Sequence, residues 1–155
     1  MDVIVNAANS ALAGGGGVDG AIHRAGGSAI MHELAAMKPR HCPTGNAVAT
    51  SAGNLPAKWI FHAVGPVYRD GAHGEPELLA SCYRKTLEMA EERGAESISF
   101  PAISTGVYGY PIDDAAKIAV REVKTHLEKQ DGRLRRVIFV LFGKSAFDAF
   151  TRALI

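Results

Sequence analysis

Cysteine and long hydrophobic runs are scarce in this sequence. Its 155 residues include only two cysteines, and Cys42 and Cys82 form neither a CxxC motif nor a disulfide framework, so we predict free thiols and a reducing compartment. The longest uninterrupted apolar run, residues 137–142, is far too short to span a bilayer. The N-terminus lacks the basic and apolar regions of a signal peptide. We therefore expect a cytoplasmic protein that does not associate with membranes.

An excess of either charge is also missing. The 17 basic and 16 acidic residues give a formal net charge of +1, which offers no electrostatic footprint for nucleic acid or an anionic membrane. Any anion site must therefore be local. The histidines do not form HxH or HExxH spacing, so we expect no metal and no cofactor; these residues are His23, His32, His41, His62, His73 and His126. The length is that of one domain, residues 1–155.

What the chain does have is a glycine-dense loop after its first apolar stretch. Residues 2–5 predict a buried strand, so Asn6 and Asn9 follow at its carboxyl end, where open α/β sheets bind ligands. Four consecutive glycines, residues 14–17, come next. Glycine loses more backbone entropy on folding than any other residue, so four together indicate that something approaches the backbone closely.

The chemistry of this loop leaves two interpretations open. Its GxGxxG match begins well after the strand, unlike a dinucleotide fingerprint, and no Walker lysine follows. Backbone N–H groups without side chains, leading into a helix, suit phosphate oxygens. In that case Asp19 is a candidate general base, and the amides of Asn6 and Asn9 suit sugar hydroxyls. The alternative is a tight turn with Asp19 as an ordinary helix cap and an Asx turn after the strand.

The rest of the chain alternates helices with buried strands. We predict strands at 46–51, 59–64, 97–100 and 137–142, and helices at 18–25, from Ser28 to Pro39, at 75–93, after Asp113 and Asp114, and at the C-terminus. The short link between the strands at 46–51 and 59–64 requires antiparallel pairing. The fold class is therefore α/β, a three-layer α/β/α sandwich with a mixed, mostly parallel sheet.

A second polar loop, residues 101–111, follows the strand at 97–100. Ser104, Thr105, Gly106 and Val107 offer hydroxyls and an unhindered amide to a phosphate, or else only shape a turn. Tyr108 and Phe142 present aromatic faces that by default lie in the core or at a rim. His62, within an apolar strand, is expected to be a hydrogen-bonded core residue. Because both loops lie at the carboxyl edge of the predicted sheet, we expect them to share one crevice.

The two loops resemble the signatures of the macrodomain family. VNAANS at 5–10, GGGGVDG at 14–20 and IHRAG at 22–26 are similar to its first signature, in the MacroD-type branch. FPAISTGVYGYP at 100–111 is similar to the second signature, and CPTG at 42–45 and HAVGP at 62–66 match as well. The resemblance covers essentially the whole chain.

The resemblance implies an ADP-ribose-binding hydrolase that removes mono-ADP-ribose from acidic side chains of proteins and deacetylates O-acetyl-ADP-ribose. Asn6 and Asn9 would hold the distal ribose, and Asp19 would help to activate water. Phe142 would stack on adenine, and Tyr108 would flank the distal ribose. The diphosphate and its surroundings would be contacted by Gly15, Gly16, Gly17, Val18, Ser104, Thr105, Gly106 and Val107.

Two departures refine this expectation. The zinc-dependent branch of the family has cysteine where Asp19 stands, so a metal-free site is implied. Family members usually begin with a further strand and an acidic turn that reads adenine, whereas this sequence starts directly before the first signature. Either this sequence is shortened, or the sheet has five strands, lacks the usual first strand and has a less selective adenine end. The alternative function is a non-catalytic reader of ADP-ribose.

Overall fold

The computed structural model describes residues 1–129 and 131–155 and contains one mixed sheet between two layers of helices. The strands are β1 (Val3–Ala7), β2 (Ala47–Ser51), β3 (Trp59–Ala63), β4 (Ser97–Phe100) and β5 (Arg136–Phe139). The helices are α1 (Gly17–Gly26), α2 (Ser28–Ala35), α3 (Glu75–Glu92), α4 (Ile112–Leu127) and α5 (Gly143–Leu154). The predicted fold class is confirmed. In the described part of the chain, no helix is both long and apolar enough to cross a membrane.

The sheet has the strand order β2-β3-β1-β4-β5. β3, β1, β4 and β5 run parallel, so their carboxyl ends meet at one edge of the sheet. β2 pairs antiparallel with β3, as the short link between them predicted. The register places Asn6 of β1 beside His62 of β3. This pairing brings two polar side chains from distant parts of the sequence onto the same face.

Successive side chains of each strand point to opposite faces of the sheet, so the protein has one hydrophobic core on each face. Val3 and Val5 of β1 belong to the larger core, which α3, α4 and α5 cover. Ile4 and Asn6 point to the opposite face, where α1 and α2 pack with Ile60 of β3 in a smaller core. Because the smaller core lies beside the carboxyl edge, it supports the polar loops at that edge.

Several details differ from the predicted elements. β5 ends at Phe139, before the end of the apolar run, and Val140 and Phe142 are exposed. The run was predicted as one buried strand, but only its first part pairs with β4. α4 begins at Ile112, so Asp113 and Asp114, predicted to precede this helix, lie in its first turn. α2 begins at Ser28 as predicted but ends at Ala35, before Pro39.

A candidate active-site cleft at the carboxyl edge of the sheet

A cleft of about 710 Å³ opens where the four parallel strands end. One wall is the glycine loop with the first turns of α1, and the other is the loop at 101–108. Val140, Phe142 and Ala146 close one end. Every residue proposed from sequence as a ligand contact lines this cleft except Asn6; the lining set includes Asn9, Gly15, Gly16, Gly17, Val18, Asp19, Ser104, Thr105, Gly106, Val107, Tyr108 and Phe142. The two polar loops thus share one crevice, as predicted.

The glycine loop exposes backbone donors at the start of α1. Gly16 is the N-cap residue, and no side chain caps the helix. The first N–H groups of a helix have no partner within it, and none is recorded for Gly17, Val18 or Asp19 among the described residues. Together with the helix dipole, they form a site suited to an anion.

Asn9 holds this loop in place. Its Oδ1 accepts a hydrogen bond from the Ala13 N–H at 3.1 Å, and its Nδ2 donates to the Gly14 carbonyl at 2.8 Å. The Arg40 guanidinium donates to the Leu12 carbonyl from outside. Asn9 therefore braces its own loop through bonds four and five residues on, not through the bond two residues on that defines an Asx turn, and the residue also lines the cleft.

A close backbone contact explains one of the glycines. A Cβ on Gly20 would lie 2.6 Å from the Gly15 carbonyl oxygen, so a side chain at Gly20 would push the loop outward. Gly17 is needed for another reason, because its φ of +55° lies in the left-handed region.

Asp19 is a buried carboxylate in the first turn of α1, with 6% of its surface exposed. Its Oδ1 accepts a hydrogen bond from Asn6 Nδ2 at 2.8 Å, and His23 Nε2 lies 3.2 Å from the same oxygen without hydrogen-bond geometry. Its Oδ2 faces Gly15 in the cleft wall, 3.6 Å from where a Cβ on that glycine would lie. The alternative interpretation of Asp19 as a helix cap is wrong, because its side chain caps no backbone group.

Asn6 lies behind Asp19 and not in the cleft. It is fully buried, and its Nδ2 lies 3.1 Å from His62 Nδ1. His62 Nε2 in turn lies 2.9 Å from Thr50 Oγ1. Burial of the imidazole lowers the pKa of His62 to about 4, so this histidine is neutral at pH 7. The prediction that His62 is a hydrogen-bonded core residue is confirmed.

Backbone hydrogen bonds hold the second loop, residues 101–111, and leave several N–H groups of its cleft-lining residues without a partner in the part of the structure described. The Tyr110 N–H donates to the Ser104 carbonyl, and the Tyr68 N–H donates to the Tyr108 carbonyl. Within the described residues, no partner is recorded for the N–H groups of Gly106, Val107 and Tyr108. A run of free backbone donors is an anion site of its own. The cleft therefore has such donors on both walls.

Ser104 occupies an unusual position in this loop. Its φ is +68°, and its buried Oγ has no partner in the described structure. A Cβ on Gly65 would collide with this hydroxyl and with Ile103. The glycine of the HAVGP sequence thus lets the second loop pack against the end of β3.

Sequence reasoning missed Gly65 as a cleft residue, and it also missed Arg24. The Arg24 side chain folds back along α1, since its Nη1 lies 3.0 Å from where a Cβ on Gly20 would lie. It brings a positive charge to the rim of the cleft. Its spacing of three residues from Ala21 and seven from Gly17, which both line the cleft, was the available signal, because residues so spaced share one face of a helix.

A group of possible metal-ligating side chains occurs elsewhere, at Asp70, His73 and Glu75. The Glu75 carboxylate already accepts hydrogen bonds from several backbone N–H groups. The hydrogen bond from the Arg69 N–H is the main cause that lowers the pKa of Glu75 to about 2. This carboxylate closes the turn before α3. It is not part of the cleft.

Comparison with known proteins identifies the family. The macro domain family model matches residues 5–119. A macro domain-containing protein of Caldanaerobacter subterraneus is 51% identical over 99% of this chain and 87% of its own length. A protein of Escherichia fergusonii named O-acetyl-ADP-ribose deacetylase is 48% identical over 99% of this chain and 88% of its own length.

Solved structures agree with this match. A variant of the Oceanobacillus iheyensis macrodomain with ADPR has a TM-score of 0.89 and 42% identity, over 99% of this chain and 84% of that one. The Trypanosoma brucei macrodomain in complex with ADP-ribose has a TM-score of 0.92 and 40% identity, over 100% of this chain and 64% of that one. These matches confirm the resemblance found in the two loops, and the chain belongs to the macro domain family.

Proposed function

We propose that this chain is a MacroD-type hydrolase that binds ADP-ribose, removes mono-ADP-ribose from glutamate and aspartate side chains of proteins, and deacetylates O-acetyl-ADP-ribose. The observation that carries the proposal is the position of Asp19. Its Oδ1 is occupied by Asn6, and its Oδ2 faces the wall of a cleft with free backbone donors on both sides. The ligands of the related proteins support the same cleft chemistry.

The diphosphate of ADP-ribose is the part that the backbone donors suit. The N-terminus of α1 and the free N–H groups of residues 106–108 can each hold phosphate oxygens without a metal. Arg24 adds a positive charge at the rim. In this arrangement the adenine extends toward Phe142, and the distal ribose lies near Asn9 and Asp19.

The reaction that this placement allows is hydrolysis of an ester on the distal ribose. Asp19 accepts a proton from a water molecule as the water oxygen bonds to a carbon of the ester; the C–O bond between that carbon and the departing oxygen breaks, and Asp19 returns the proton to the departing oxygen. The products are ADP-ribose and the free carboxylic acid of the target. General base catalysis contributes about 10²–10⁴-fold to a rate, which sets the loss expected when the carboxylate is removed.

The test uses a peptide that is mono-ADP-ribosylated on glutamate and follows release of ADP-ribose. We expect release by the wild type and a turnover about 10²–10⁴-fold lower in Asp19→Ala and in Asp19→Asn, with most ADP-ribose affinity kept by calorimetry. Asp114→Ala, an exposed aspartate in α4, is the matched control and should retain full turnover. Tight binding without release by the wild type would instead favour a non-catalytic reader.

A further inference from the structure

A chain of hydrogen bonds runs from the sheet to the back of Asp19. Thr50 Oγ1 donates to the Ser51 carbonyl at 2.9 Å, and it also lies 2.9 Å from His62 Nε2. His62 Nδ1 lies 3.1 Å from Asn6 Nδ2, which donates to Asp19 Oδ1 at 2.8 Å. The side chains of Thr50, His62, Asn6 and Asp19 are all buried.

The donors and acceptors of this chain allow one assignment. The Ser51 carbonyl only accepts, so the Thr50 hydroxyl uses its proton there and must accept from His62 Nε2–H. His62 Nδ1 then carries a lone pair and accepts one amide hydrogen of Asn6. The second amide hydrogen of Asn6 goes to Asp19 Oδ1. Thr50 therefore selects the Nε2–H tautomer of His62.

The tautomer of His62 in turn selects the orientation of the Asn6 amide. A flipped amide would place its oxygen against the Asp19 carboxylate and the His62 lone pair. Asn6 is fully buried, so water does not compensate for such a pair of acceptor contacts. In the observed orientation both donors are used, and only Oδ1 lacks a partner in the part of the chain described.

We propose that His62 and Thr50 are positioning residues for Asp19. They act through the Asn6 amide, which occupies Asp19 Oδ1 and leaves Oδ2 to the cleft. This inference rests on the proposed function, because it assigns what orients the proposed general base. Neither residue lines the cleft, so neither is expected to contact the ligand.

Thr50→Val removes the hydroxyl and keeps the side-chain shape. We expect it to lower kcat for release of ADP-ribose about 10- to 100-fold, the range found where outer hydrogen-bond partners orient metal ligands, while KM and ADP-ribose affinity stay unchanged. Thr50→Ser restores the acceptor and should restore kcat. The matched control is Thr86→Val, because Thr86 is an equally buried threonine bonded to carbonyls within α3. This control should lose stability without losing kcat.

The tautomer itself is measured by ¹⁵N NMR of the His62 imidazole. The wild type should show Nε2–H, and Thr50→Val should lose that state. An unchanged kcat in a folded Thr50→Val protein, or equal losses in Thr50→Ser and Thr50→Val, would overturn the proposal. If the wild type released no ADP-ribose, the proposed function would fail, and an Nδ1–H tautomer in the spectrum would then separately overturn the positioning of Asn6.

Discussion

The two faces of the sheet come from the same strands but are packed with different chemistry. Toward α3, α4 and α5, the strands present apolar side chains such as Val5, Phe61 and Phe100. Toward α1 and α2, the alternate positions include Asn6 and His62, which are equally buried. Both faces bury apolar side chains, but only the face toward α1 and α2 also carries the buried hydrogen bonds of Asn6 and His62 that lead to Asp19.

This difference has a physical origin in the strand period. Adjacent residues of a strand point to opposite faces, so Val5 and Asn6 serve two cores although they are neighbours in sequence. Burying a polar group costs free energy unless it is hydrogen-bonded, so most buried polar groups have a partner. Asn6 and His62 meet because β1 and β3 pair in parallel with these two residues in register. The polar contact therefore lies on one face only, and Val5 on the other face keeps its place in the larger core.

The largest effect on stability is expected from the apolar face. Leu87 is 1% exposed in the core beneath α3, and Leu87→Ala should lower the free energy of unfolding by about 2–5 kcal/mol. Urea denaturation measures this loss. Below the transition, turnover per folded molecule should match the wild type. A specific loss of kcat would show that the two faces are coupled.

The polar face should respond to pH. The folded pKa of His62, about 4, lies below its unfolded value of about 6.5. As pH falls below 6.5, the unfolded chain binds this proton before the folded chain does. The contribution of neutral His62 to the free energy of unfolding is therefore fully present above about pH 6.5 and is lost progressively down to about pH 4. The loss amounts to about 3 kcal/mol.

Comparing the wild type with His62→Gln isolates the part of the acid dependence of stability that comes from His62, since the carboxylates titrate in both proteins. His23 stacks near His62 and opposes its protonation, whereas Glu33 on α2 favours it. Denaturation of both proteins at several pH values should therefore show a steeper acid dependence in the wild type. Parallel curves would mean that His62 is protonated without cost in the folded state.

The glycine loop allows a smaller, paired test. Helix propensity alone predicts that Gly20→Ala stabilises α1 by about 1 kcal/mol. The Gly15 carbonyl oxygen, 2.6 Å from the new Cβ, predicts a cost of about 1–3 kcal/mol. We expect the cost to dominate in thermal denaturation. Gly16→Ala, which meets no atom within 4 Å, should change stability by less than about 1 kcal/mol.

The sequence allowed most of the fold to be predicted, because strand and helix periods are local properties. The antiparallel pairing of β2 and β3 was predicted from the short link between them. The two cleft loops were predicted from their polar residues and glycines and from their position directly after strands. The contact of Asn6 with His62 was not predictable in this way, since it depends on the register between β1 and β3. The length of β5 was missed because Val140 and Phe142 line the cleft, and only Leu141 of this stretch packs against the larger core.

The smallest effect on stability is expected for a substitution of Phe142. This substitution tests whether the side chain binds ligand at the rim of the cleft or packs in the core. Its side chain is 80% exposed although it lines the cleft, so Phe142→Ala should change stability by only about 0.5 kcal/mol. If Phe142 stacks on adenine, the same change should weaken ADP-ribose binding by about 1–3 kcal/mol in calorimetry. Phe147→Ala is the matched control, because Phe147 is 62% exposed on α5 and is not among the cleft-lining residues described. Equal affinities for the two variants would place the adenine elsewhere in the cleft, whereas a selective loss in Phe142→Ala would show that an exposed aromatic side chain contributes to binding without contributing to either core.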